Sequence, residues 1–132
     1  LGGPGTAGNL WAGLHAGVID ITATDHAPHL LKDKAPPYPR SPSGMPGVET
    51  SLPLMMTAMQ EGKCTLTQIL RWMCSGPAEI YRISNKGQLR EGFDADLTLV
   101  DLDQTKVVRD EEVFSRTGWS PYAGRALSGW PL

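Results

Sequence analysis

The sequence predicts an α/β fold that gives way to a β-rich segment near residue 85. Three observations carry that prediction. Apolar residues recur at helical spacing through residues 10–18 and again through 52–81. A β-branched run, Ile19–Thr24, follows the first helical stretch almost without a connection, which is α/β grammar. After Ser84 the apolar period shortens from helical to alternating. Two bodies are therefore expected, residues 1–84 and residues 85–132.

The elements read in order as follows. Residues 1–8 are Gly-rich and predict loop. Asn9 is placed to cap a helix carrying Leu10, Trp11, Leu14 and Val18, with Gly17 as its stop. Ile19–Thr24 predicts a strand buried on both faces. Residues 30–47 carry Pro36, Pro37, Pro39, Pro42 and Pro46, which exclude helix and central strand and predict a long loop. Such a loop beside a site is a candidate lid, and a static Pro-stiffened loop is the plainer reading. Residues 48–60 predict a helix through Leu52, Met55, Met56 and Met59, ended by Gly62. The methionines read as adaptable core packing rather than a ligand patch. Thr65 or Thr67 caps a second helix through Ile69, Leu70, Trp72 and Met73, and Pro77 starts a third through Ile80 and Tyr81. Residues 95–101 and 105–108 predict two strands joined by a hairpin at Asp103–Gln104, and residues 115–132 read as irregular.

Composition removes several function classes. Of 132 residues, 40% are hydrophobic and 20% charged, as in ordinary globular chains, and the net charge of −2 offers no basic surplus for nucleic acid or anionic membranes. No apolar stretch is long enough to span a bilayer, and no signal-peptide pattern opens the chain. Cys64 and Cys74 sit in apolar segments read as helical and are expected as reduced core thiols, which fits a cytoplasmic location. The chain opens without Met and stops at Trp130-Pro131-Leu132 with no polar tail, so an excerpt of a longer protein is expected.

The chemistry is concentrated in one place. Asp25, His26 and His29 lie within five residues at the end of the expected strand. A carboxylate and imidazoles serve as metal ligands or general acids and bases, and in (β/α)8 barrels such groups stand at the C-terminal ends of strands. The plainer reading of the same residues is an Asp opening a turn, with His as a polar loop residue. The remaining histidine, His15, falls in the first helix and reads as packing or surface. One Asp and one or two His do not complete a catalytic zinc site, so the residues argue for part of a site.

Thr24-Asp25-His26-Ala27-Pro28-His29 resembles the motif at the eighth barrel strand of dihydroorotases, within the amidohydrolase superfamily. Gly44-Met45-Pro46-Gly47-Val48-Glu49-Thr50 resembles the loop and helix start that follow it there. The stretch from Gly87 to Asp101 resembles return strands of the small β-sandwich attached to these barrels, and Gly118–Gly124 resembles a late segment of the same family. The resemblance implies the C-terminal portion of a (β/α)8 TIM-type barrel, with residues 1–84 as its last strand and helices. Residues 85–132 would then be part of a small β-sandwich and the C-terminal segment.

The resemblance also implies roles. Asp25 matches the aspartate that contacts the metal and shuttles the proton. His29 matches the residue that binds the substrate carboxylate, and Ser43 and Gly44 fall where the loop touches the substrate. His26 is not a usual ligand in the family and is read as structural. The implied reaction is the reversible cyclisation of N-carbamoyl-L-aspartate to dihydroorotate in pyrimidine biosynthesis. The implied cofactor is zinc, one or two ions, with its other ligands outside this chain. The family's first-strand His-x-His, its bridging lysine or carboxylate and its two later histidines are missing here, so the chain alone is expected to be inactive. The implied partners are a small-molecule substrate, further copies in a homo-oligomer, and aspartate transcarbamoylase. Two alternatives stay open: a related allantoinase or hydantoinase, against which His29 argues, and a non-catalytic dihydroorotase-like scaffold that partners aspartate transcarbamoylase.

Overall fold

The computed structural model describes residue 3 and residues 5–132. The chain divides into two compact units, each assembled from two stretches of sequence. The first takes the stretch ending at Ala23 together with Met59–Leu97, and the second takes Thr24–Ala58 with Thr98–Leu132.

In the first unit, helix α1 spans Thr6–His15. It begins three residues before the expected cap, with Gly5 at the N-cap and Asn9 inside the first turns. Residues 6–8 are therefore helical rather than loop, and the loop reading of residues 1, 2 and 4 lies outside the described residues. The helix stops before Gly17, as expected. Val18 lies beyond the end, and its N–H returns to the Gly13 carbonyl at 2.9 Å.

The Ile19–Thr24 segment is extended but has no strand partner among the described residues. Its recorded backbone tie is Thr22 N–H donating to the Trp72 carbonyl at 3.1 Å, and Ile19 and Ile21 are half-buried. The expectation of a strand buried on both faces is corrected. Strand character needs a neighbour to share the ladder, and the β-branched sequence alone does not supply one.

Thr65 caps helix α4 (Leu66–Leu70) with a reciprocal capping box, Gln68 N–H donating to the Thr65 hydroxyl and Thr65 N–H to the Gln68 side chain. A π-helical turn, Arg71–Ser75, then runs directly into α5 (Gly76–Ile80). Ile69, Trp72 and Cys64 form the buried core of this unit. Trp11, His15 and Trp72 pack ring against ring at 5.7–6.1 Å between centroids, and Gln68 bonds the His15 ring at 3.1 Å. His15 is thus a packing residue. Cys64 and Cys74 share no disulfide, and Cys74 is exposed on the π turn, not a core thiol. Lys86 closes the following turn by pairing with Asp96 and, at 2.9 Å, with Asp94. The hydrogen bond to Asp96 is the main cause holding its ammonium above the ordinary lysine range.

Helix α3 (Ser51–Gln60), whose residues up to Ala58 belong to the second unit, begins three residues later than the pattern suggested and buries Pro53, Met56 and Ala58. A one-turn helix, α2 (Leu31–Lys34), occupies the start of the Pro-rich stretch. The expectation of unbroken loop missed it because the first proline comes only at Pro36, after that turn has closed. Strand β1 spans Val100–Val107 and pairs antiparallel with β2, Ala126–Pro131.

The expected hairpin at Asp103–Gln104 is therefore corrected to a bulge. Asp101 pairs with Trp130 and Thr105 with Ser128, so two extra residues are accommodated on β1 between those pairs. The Asp101 carboxylate accepts from Asp103 N–H at 3.0 Å and Gln104 N–H at 3.2 Å, folding the excess locally without reversing the chain. Residues 95–99 carry no strand, and Leu97 and Leu99 are exposed.

Strand β2 lies inside the segment expected to be irregular. Its Gly129 adopts φ +74°, and a Cβ there would collide with the Met56 side chain. Leu127 is completely buried. Thr57 ties α3 to β2, donating to the Pro53 carbonyl at 2.7 Å while accepting Ser128 N–H at 2.9 Å.

Candidate active site

The second unit holds every sequence-predicted site residue, and its loops bring them to one place. Asp25 sits at φ +44°, a left-handed backbone that costs an L-residue roughly 1–2 kcal/mol. Strain of this kind clusters at functional positions. The Asp25 residue is exposed, so its carboxylate is open to solvent or substrate.

The next residue, His26, makes a parallel bridge with Met45, and Ala27 N–H donates to the Met45 carbonyl at 3.0 Å. This pairing lays residues 43–47 alongside residues 25–29. His26 Nδ1 accepts from Gly47 N–H at 3.1 Å and Val48 N–H at 3.3 Å. Two donors converging on Nδ1 require that nitrogen to be unprotonated, which assigns the ring proton to Nε2. The imidazole thereby acts as the cap of the loop that enters α3.

Gly44 comes closer still. Its φ is +95°, and a Cβ placed on it would stand 2.5 Å from the Ala27 Cβ. Only glycine lets the backbone carrying Ser43 and Gly44 approach the Asp25–His29 segment this closely. Ser43 and Gly44 are both exposed at that contact. His29 is half-buried. Its backbone is fixed twice, by His29 N–H donating to Ala27 O at 2.9 Å and by Trp119 Nε1–H donating to His29 O at 2.8 Å.

The C-terminal segment braces the same loops. Glu49 accepts Phe114 N–H on both carboxylate oxygens, at 3.0 and 3.2 Å, and Asp110 accepts Ser120 N–H at 2.8 Å. A small hollow lies between them, lined by His26, Glu49, Thr50, Ser115, Trp119 and Ser120 among others. Its free volume of about 10 Å³ holds about one water molecule, so it is not where a ring substrate would sit.

Two residues that position this site were not singled out from the sequence. Lys34 donates to the carbonyls of Pro42 and Gly44, and Trp119 anchors the His29 backbone. Both act on backbone carbonyls, Lys34 within its own loop and Trp119 ninety residues back, and a main-chain acceptor leaves no side-chain pattern to read.

The donor set does not by itself fit a metal. Among the described residues, no three His, Cys, Asp or Glu side chains come together to hold an ion. Asp25 offers one carboxylate where a zinc centre takes three or four protein ligands. What this arrangement offers on its own is an exposed carboxylate on a strained backbone, with a half-buried histidine four residues on and a glycine loop packed against the same segment.

Comparison with known proteins gives the family. The amidohydrolase family matches residues 5–123. A dihydroorotase from Halobacterium salinarum is 38% identical over 115 residues, 87% of this chain and 27% of that protein. An L-hydantoinase (dihydropyrimidinase) structure from Arthrobacter aurescens superposes with a TM-score of 0.86 at 35% identity, over 92% of this chain and 28% of that one. The inactive dihydroorotase-like domain of a multifunctional protein from Chaetomium thermophilum matches with a TM-score of 0.66 at 27% identity, over 98% of this chain and 33% of that one. The chain thus spans between a quarter and a third of the length of these relatives. Its fold is that of the C-terminal portion of an amidohydrolase barrel with the segment that follows it. With nearly its whole length matched and the fold shared, the chain belongs to the amidohydrolase family.

Proposed function

We propose that this chain supplies the C-terminal part of a metal-dependent cyclic amidohydrolase that interconverts N-carbamoyl-L-aspartate and dihydroorotate in pyrimidine biosynthesis. The carrying observation is that the Gly44–Ala27 approach and the His26–Met45 bridge set the Ser43–Gly44 loop against the segment that carries the exposed Asp25 and the half-buried His29. In this reading residues 1–84 complete a barrel and residues 85–132 begin a β-sandwich. In the hydrolytic direction Asp25 takes a proton from the water that adds to the ring carbonyl carbon and passes it to the ring nitrogen as the C–N bond breaks, which requires hydrogen-bond reach to both atoms. His29 pairs with the free carboxylate of the substrate, a charge-assisted contact that an uncharged ring would not use. Ser43 and Gly44 line the substrate. Zinc, one or two ions, is the proposed cofactor. Asp25 would be the ligand from this chain, and the remaining ligands would come from outside it.

Dihydroorotases at 36–40% identity support the substrate assignment. The proposed setting is cytoplasmic, in a homo-oligomer with aspartate transcarbamoylase as a partner. Among the described residues no helix is long and apolar enough to cross a membrane. A second reading, hydrolysis of a hydantoin, is favoured by the L-hydantoinase superposition.

The test is side-by-side hydrolysis of dihydroorotate and a 5-substituted hydantoin by the intact protein with zinc. Preference for dihydroorotate that collapses in His29→Ala supports the first reading. Preference for the hydantoin, unaffected by His29→Ala, supports the second.

A further inference from the structure

We propose that Lys34 is a positioning residue that sets the direction of the Ser43 backbone amide at the substrate loop. This rests on the reading above, in which that loop touches the substrate. The Lys34 ammonium donates to Pro42 O at 2.6 Å and to Gly44 O at 3.0 Å, the two carbonyls that flank Ser43. The Ser41 hydroxyl in turn donates to the Lys34 carbonyl at 3.1 Å, so the loop is tied across its mouth from both the side chain and the backbone of one residue. Lys34 is half-buried, and these two acceptors are neutral carbonyls rather than carboxylates, so its charge is directed at the backbone.

The peptide group is planar and, here, trans, so its C=O and N–H point in opposite directions. A Pro42 carbonyl held toward Lys34 therefore turns the Ser43 N–H away from it. The Gly44 carbonyl does the same for the Met45 N–H. The Gly44–Ala27 contact keeps this stretch against the Asp25–His29 segment. One ammonium thus fixes the two peptide planes around Ser43, leaving the Ser43 amide as a preset donor for a carbonyl or carboxylate oxygen of the substrate.

The test compares Lys34→Met, which keeps the stem and removes the charge, with Lys34→Arg, which restores a cation able to reach two carbonyls. Both are made in the intact protein. Two quantities are read: the kinetic constants for dihydroorotate, and amide hydrogen exchange of residues 43–45 without substrate. Lys34→Met is expected to raise KM about tenfold through the lost charged hydrogen bonds. The same variant should leave kcat within about twofold, because the contact serves binding more than the reacting atoms. Exchange at residues 43–45 should rise in parallel, and Lys34→Arg should recover most of both effects. Unchanged exchange and unchanged KM in Lys34→Met would overturn the proposal, as would a loss of melting temperature with KM intact. Should Lys34→Met fail to fold, Lys34→Gln carries the same comparison. If the wild-type protein turns over no dihydroorotate, the functional reading fails, while the exchange experiment still decides the role of Lys34.

Discussion

Replacing Gly44 by alanine attacks the tight approach of the Ser43–Gly44 loop to the Asp25–His29 segment. Two costs follow from the geometry. The backbone at φ +95° is strained for any L side chain, by roughly 1–2 kcal/mol. The new Cβ would also lie 2.5 Å from the Ala27 Cβ and must move out to about 3.4 Å, a shift of about 0.9 Å. Overpacking of this kind costs about 1–3 kcal/mol. The total, about 2–5 kcal/mol, falls on a loop, so the chain relieves it by moving Ser43 and Gly44 rather than by unfolding. A displacement near 1 Å at a positioning segment can cost about 10²-fold in turnover, so kcat/KM of the intact protein should fall by about that factor. The diagnostic comparison is the double variant Gly44→Ala with Ala27→Gly, which removes the steric clash but not the backbone strain. It should recover part of the loss, and the non-additivity isolates the contact. Wild-type kcat/KM in Gly44→Ala, or no recovery in the double variant, would show that this approach does not position the loop.

Three further outcomes are expected. His26→Ala leaves the Gly47 and Val48 N–H groups without their acceptor and should destabilise the loop into α3 by about 1–3 kcal/mol, read by denaturant unfolding. An unchanged midpoint would return His26 to the status of a polar surface residue. Thr57→Val strands the N–H of Ser128, which is only 8% exposed, and should cost about 1–3 kcal/mol in the same assay. A variant as stable as the parent would mean that α3 and β2 are not coupled through this hydroxyl. Burial pushes the Cys64 thiol up from its ordinary value. The folded state therefore holds that proton more tightly than the unfolded state. Its contribution is complete below the unfolded thiol pKa of about 8.5 and is lost as pH rises through the folded value. Melting temperature should fall above that pH less steeply in Cys64→Ser than in the parent, and equal slopes would assign the alkaline loss to other groups.

Local signals in the sequence were reliable where the structure uses local bonds. Thr65, one of the two caps read from the sequence, does cap α4, and Gly62 follows the end of α3 as read, while the reciprocal bond from Gln68 was not singled out. Met56 packs in the core as read. The misses share a cause. Strand β2 contains Gly129 and Pro131, poor strand formers, and exists because β1 lies beside it and Met56 needs the space a side chain would take. Asp103–Gln104 carries turn chemistry, but the Asp101 carboxylate absorbs it as a bulge. Ile19–Thr24 has strand composition without a partner among the described residues. The site divides in the same way. The motif marked Asp25, His29, Ser43 and Gly44, and the fold sets their segments side by side, joined by the His26–Met45 bridge. The roles of Lys34 and of Trp119, marked only as part of the Gly118–Gly124 segment, were not legible because their acceptors are main-chain carbonyls, which every residue carries.

The most direct test of Asp25 is dihydroorotate hydrolysis by the intact zinc-loaded protein and its Asp25→Ala variant, with circular dichroism and melting recorded on both. Turnover should fall by about 10²–10⁴-fold, the contribution of a positioned general acid–base group, while the spectrum and melt stay those of the parent. Near-normal turnover in a folded Asp25→Ala protein would remove this carboxylate from the chemistry.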